Sequence, residues 1–139
     1  MDKIHWWKIG ERREWMREPS FFLTEEDEFL ETEILQRGCK VFKGESGYVA
    51  ANVAIVPMDR VVPFDIYNAM AAGMPVVTTA QNQVWFRGIP GFEVTVEDGP
   101  EAIISEVRQT DFKNLGRMAQ EIVPDRSSFK SSLLSKLTF

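Results

Sequence analysis

Two continuous apolar runs, Ala51-Asn52-Val53-Ala54-Ile55-Val56-Pro57 and Met74-Pro75-Val76-Val77-Thr78-Thr79, flank a helix-like stretch between Pro63 and Gly73. A strand with one wet face alternates apolar and polar residues, whereas a strand covered on both faces reads as a nearly unbroken apolar run. Two covered strands joined by a helix form a crossover unit, and such units build parallel sheets with helices on both sides. The punctuation agrees, because Pro63 falls in the first turn of the helix and Gly73 just past its end.

The alternation extends along the chain. Ile4-His5-Trp6-Trp7-Lys8-Ile9, closed by Gly10, reads as a first strand, and the charged stretch from Gly10 to Ser20 as a loop with one helical turn. Thr24-Glu25-Glu26-Asp27 carries a helix-start signature, with Thr24 as cap and the carboxylates at the positive helix end. It predicts a helix from Glu25 to Arg37, with Phe29, Leu30, Ile34 and Leu35 as the buried stripe and Gly38 in the left-handed position beyond it. Cys39 to Gly44 reads as a short strand and Phe92-Glu93-Val94-Thr95-Val96 as an alternating one. Helices are expected from Pro100 to Gln109, from Asp111 to Ile122 and from Asp125 to Leu137.

Composition removes several functions. The 139 residues suit one domain, and 16 Lys+Arg against 21 Asp+Glu give a net charge of −5, without the basic footprint of a nucleic-acid binder. The single Cys39 and single His5 allow neither a disulfide framework nor a zinc site of His and Cys alone, and no metal or cofactor is expected. No apolar run reaches the ~20 residues of a membrane span. No apolar leader region follows Met1, so a cytoplasmic location is expected. The dinucleotide motif Gly-x-Gly-x-x-Gly and the P-loop motif are both absent. Lys43-Gly44-Glu45-Ser46-Gly47 reads as a turn, Ser127, Ser128, Ser131, Ser132 and Ser135 as a polar helix face, His5 as structural, and Cys39 as buried and inert. Sequence alone nominates no pair of carboxylates for acid–base chemistry.

The run Val53-Ala54-Ile55-Val56-Pro57, followed by Pro63-Phe64-Asp65-Ile66-Tyr67-Asn68-Ala69-Met70-Ala71-Ala72-Gly73-Met74-Pro75-Val76-Val77-Thr78-Thr79, resembles the C-terminal, donor-binding domain of GT-B glycosyltransferases. In that family a buried strand ending in Pro leads to a helix ending in Glu-Ala-Met-Ala-x-Gly-x-Pro-Val-Val. The likeness continues more loosely through Gly88, Gly91, the strand at Phe92 and the Asp98-Gly99-Pro100-Glu101 turn. It covers residues 49–135, with residues 1–48 divergent. It implies a compact, three-layer, Rossmann-like α/β domain over residues 1–139, with a mainly parallel sheet of about five strands, like one half of a GT-B enzyme.

The resemblance also implies a nucleotide or nucleotide-sugar ligand at the C-terminal ends of the strands, and this chain departs from the family there. Asn68 stands where the family has the Glu that hydrogen-bonds the ribose, Arg60 where it has a second Glu, and Asp65 where related members have Lys. Asp65 suits the helix start but opposes a diphosphate. Arg60 offers a positive charge in the same neighbourhood. Arg12 and Arg13 are the candidates for the family's pyrophosphate-binding pair, with Glu11 and Glu14 as competing salt-bridge partners.

A GT-B enzyme binds its acceptor on a separate N-terminal domain, which 139 residues cannot also supply, so no turnover is expected from this chain alone. Two functions remain: a glycosyltransferase-like domain that binds a nucleotide or nucleotide sugar, or a catalytically silent relative that regulates or inhibits another protein. Trp6, Trp7, Trp15, Phe21 and Phe22 read either as cover for the sheet edge and for the surface a neighbouring domain would occupy, or, Trp6, Trp7 and Trp15 in particular, as anchors for a protein partner or a second copy.

Overall fold

Both predicted apolar runs form strands with every residue buried, Val53–Val56 (β3) and Val76–Thr78 (β4). The computed structural model describes residues 18–60, 64–83 and 93–122. Among these residues, Ser20–Leu23 (β1) and Lys40–Lys43 (β2) complete a four-stranded sheet, parallel throughout, in the order β2-β1-β3-β4. The helices are Glu28–Gln36 (α1), Gly47–Ala50 (α2), Phe64–Ala71 (α3), Pro100–Gln109 (α4) and Phe112–Ile122 (α5), with a short 3-10 turn at Val96–Asp98.

The register explains how four short strands make two cores. Phe22 lies opposite Ala54, which lies opposite Val76, and these three face a cluster built from Ile66, Tyr67, Ala69 and Met70 of α3 with Tyr48 of α2. Leu23, Ile55 and Val77 form the next row and point the other way, onto Leu30 and Ile34 of α1 and Ile103, Ile104 and Val107 of α4. Side chains alternate across a strand with period two, so successive rows feed opposite faces. The result is a three-layer α/β/α arrangement of Rossmann-like type. Helix α5 reaches both layers, with Ala119 in the first cluster and Phe112 and Leu115 packed against the second.

Helix ends follow the expected chemistry. Gly73 (φ 87°) ends α3: its N–H donates to the Met70 carbonyl, and the Met74 N–H donates to the Ala69 carbonyl. Gly38 (φ 83°) ends α1 in the same way, with Gly38 donating to Leu35 and Cys39 to Ile34. Both are Schellman turns, which need a left-handed residue at that position.

Several expectations are corrected. Ser20, read as the end of a loop, opens the central strand Ser20–Leu23, for which no strand was expected; Phe21 (0% exposed) and Phe22 (4%) are core rather than edge cover. Helix α1 is capped by Asp27, whose carboxylate accepts from the Leu30 N–H at 3.0 Å, and Thr24 instead donates its hydroxyl to the Ile55 carbonyl at 3.3 Å. With the helix starting three residues later, Leu30 and Ile34 are buried while Phe29 (64% exposed) and Leu35 (51%) face outward. Residues 93–95 are not strand, and Val96–Asp98 is a 3-10 turn closed by reciprocal bonds between Thr95 and Asp98. The described sheet therefore has four strands rather than five, and α2 stands where the sequence suggested only a turn before β3. The expected strand at Ile4 to Ile9, the loop to Arg17, His5, Pro63, Gly88, Gly91, Phe92 and the helix from Asp125 with its serines lie outside the described residues.

Helix α5 lies closest to the fold at Gly116. A Cβ there would fall 2.1 Å from the Gly73 carbonyl oxygen, and Gln120 Nε2 reaches the Ala71 carbonyl at 3.1 Å one turn on. Two backbone segments are thus in contact with no side chain able to yield. Gly116→Ala is expected to lower stability by about 1–3 kcal/mol through overpacking, outweighing the ~1 kcal/mol that Ala gains in helix propensity. Urea denaturation checks this, and an unchanged or raised midpoint would contradict the close approach.

Candidate functional site

In an open parallel sheet, ligands bind beyond the C-terminal strand ends where neighbouring strands send their helices to opposite faces. That reversal occurs between β1 and β3. The chain leaves β1 for α1 on one face and leaves β3 for α3 on the other, so the two loops diverge over the paired ends Leu23 and Ile55. The loop after β1 carries Thr24, Glu25, Glu26 and Asp27. The loop after β3 carries Met58, Asp59 and Arg60, and the first turn of α3 carries Asp65.

Arg60 sits between the two loops. Its Nη2 donates to Glu25 Oε1 at 2.5 Å and lies 3.2 Å from Asp65 Oδ2, to which Nε also donates at 3.3 Å. Its side chain is only 20% exposed, against 42% for Glu25 and 34% for Asp65. The backbone of the same loop is fixed from below by Asn82, which is 1% exposed. Asn82 Oδ1 accepts from the Arg60 N–H at 2.8 Å, and its Nδ2 donates to the Met58 carbonyl at 2.8 Å and to Thr78 Oγ1 at 2.9 Å. Thr78 in turn donates its hydroxyl to the Val56 carbonyl at 2.8 Å, tying this network to the end of β3. Every amide atom of Asn82 is used to hold the loop that presents Arg60.

One helical turn beyond Asp65, Asn68 lies beside the phenol of Tyr48, whose ring packs edge-on against Phe22 at 4.6 Å. Burial pushes the Tyr48 phenol up to about 12, the Asp65 charge and more weakly Glu45 push the same way, and the Asn68 hydrogen bond opposes them.

Of the residues singled out from sequence, Arg60 and Asp65 are brought into contact, and Asn68 lies on the same helix face as Asp65, near Tyr48. Arg12, Arg13, Trp6, Trp7 and Trp15 lie outside the described residues. Glu25, Asn82 and Tyr48 were not anticipated. The polar run Thr78 to Asn82 directly after a buried strand was a usable signal for Asn82, whereas Glu25 was absorbed into a helix-start reading.

A separate groove of about 360 Å³ opens at the opposite, N-terminal edge of the sheet, lined by Arg37, Glu101, Ile104, Ser105, Arg108 and Gln109. Both of its arginines already have carboxylate partners, Arg37 with Glu33 and Arg108 with Glu18. Cys39 is 3% exposed, and burial pushes its thiol up, as suits an inert core residue. Among the described residues no group of His, Cys, Asp and Glu is arranged to hold a metal ion, and no helix is long and apolar enough to cross a membrane. Comparison with protein-family models, with curated proteins and with solved structures returns no match for this chain.

Two outcomes follow from this geometry. Asn82→Ala removes the partner of the part-buried Met58 carbonyl and Arg60 N–H and of the buried Thr78 hydroxyl, and is expected to cost about 1–2 kcal/mol in urea denaturation; a loss under about 0.5 kcal/mol would show the network is dispensable. Tyr48, with a folded value near 12 against an ordinary 10.0, contributes fully to stability below pH 10 and loses that contribution as pH rises towards 12. Wild type is therefore expected to lose on the order of 2–3 kcal/mol more than Tyr48→Phe across that window, and parallel curves for the two proteins would contradict the assignment.

Proposed function

We propose that this chain is a glycosyltransferase-like domain, similar to the donor-binding half of a GT-B enzyme, that binds a nucleotide or nucleotide sugar beyond the C-terminal ends of β1 and β3 and does not turn over alone. The observation that carries the reading is the position of Arg60, delivered by a fixed loop to the point where the strand order reverses, between β1 and β3. A partly desolvated guanidinium there offers bidentate donors to a phosphate, and the fixed loop lowers the ordering cost of binding. The resemblance adds to this, since the segments that carry it are β3, α3, its glycine turn and β4, which together form one side of the crevice. Sugar transfer then requires an acceptor-binding domain in addition to these 139 residues.

The carboxylates on Arg60 favour a second reading, in which the crevice has lost its ligand and the domain regulates or inhibits a protein partner. A thermal-shift titration with UDP, GDP, ADP and their sugar conjugates separates the two. Ligand at about 100 times its dissociation constant stabilises a native site by roughly 2.7 kcal/mol, a rise of several degrees in a domain of this size. The expected result is a rise selective for one nucleotide and absent in Arg60→Ala. No rise with any of them would leave the regulator as the working function.

A further inference from the structure

We infer that Glu25 acts as a built-in competitor for the ligand's phosphate, holding Arg60 until an incoming diphosphate displaces it. This rests on the nucleotide-binding reading and specifies how that site is controlled. Three separate elements meet at the guanidinium: the β1 loop through Glu25, the β3 loop through Arg60 itself, and α3 through Asp65. The two carboxylates are not equivalent.

Asp65 lies in the first turn of α3, where the positive end of the helix favours its charge, and it faces two nitrogens of Arg60. Its place is set by the helix. Glu25 contacts a single nitrogen, is the more exposed of the two, and stands upstream of Asp27, the residue that caps α1. It can swing outward without disturbing either helix. A diphosphate would meet the same Nη2 that Glu25 occupies, so the two anions compete for one donor, and Glu25 moves at the smaller structural cost. The Asn82 network keeps Arg60 in place during the exchange, since its bonds go to the loop backbone rather than to the guanidinium.

The competition is measurable by calorimetric titration of inorganic pyrophosphate, and of UDP, GDP and ADP, into wild type, Glu25→Gln, Glu26→Gln and Arg60→Ala, each checked for folding by circular dichroism. Glu26 is exposed and has no described contact with Arg60, so Glu26→Gln removes the same unit of charge from the same loop and controls for general electrostatics. The expected result is roughly fivefold tighter binding by Glu25→Gln than by wild type, little change in Glu26→Gln and loss of binding in Arg60→Ala. If wild type binds and Glu25→Gln binds no more tightly than Glu26→Gln, the competitor role is overturned while the nucleotide site stands. If neither wild type nor Glu25→Gln binds any of the four probes, the competitor role and the nucleotide-binding reading fall together. Binding that survives Arg60→Ala unchanged overturns the competitor role and moves the site elsewhere.

Discussion

Everything in this domain depends on the double burial of β1 and β3. These two strands lie at the centre of the sheet, and each has neighbours on both edges and helices on both faces. Their backbones pair with neighbours on both edges, and their apolar side chains, Phe21 to Leu23 and Val53 to Val56, pack as two opposed rows, while Ser20 at the start of β1 is hydrogen-bonded to Asn52. Only at the C-terminal end does this arrangement break, because α1 and α3 leave on opposite sides. The crevice is a consequence of strand order, and the residues that fill it are the first polar ones after each buried run.

The character of that crevice is set by a balance of charge. Glu25, Asp65, Glu26, Asp27 and Asp59 surround or border one arginine, so the neighbourhood is acidic even though its central group is cationic. A crevice of this kind does not attract a diphosphate by long-range field. On the proposed reading it recognises one only at contact, through a guanidinium whose partners exchange. The resemblance to a donor-binding domain and the departures from it meet at this point: this chain has Asn68 and Arg60 at the positions where that family carries carboxylates, and Asp65 where related members carry Lys. Its positive charge stands on the loop that precedes α3.

The sequence was legible where a local rule decides the outcome. β3, α3 and β4 were readable because an apolar run with Pro and Gly punctuation has one natural interpretation, and Pro100 to Gln109 likewise. β1 was not, since four residues between Pro19 and Thr24 are too short for a period and owe their burial to strands far along the chain. The start of α1 slipped because Thr24 and Asp27 are both good caps, and the choice fell to the Ile55 carbonyl, which claims the Thr24 hydroxyl. At the site, Arg60 and Asp65 are five residues apart and could be linked by reading along the chain. Glu25 is 35 residues from Arg60 and Asn82 is 22, and only the order of β1, β3 and β4 brings them together.

The location of the site can be read directly by following backbone amide resonances while UDP, GDP and ADP are added in turn. A ligand entering the crevice between β1 and β3 shifts Thr24 to Asp27, Asp59 and Arg60, and Phe64 to Asn68, while leaving the far edge of the sheet unchanged. Shifts confined to the groove at Arg37, Ser105 and Arg108, or none with any of the three nucleotides, would contradict a nucleotide site at the point where the strand order reverses.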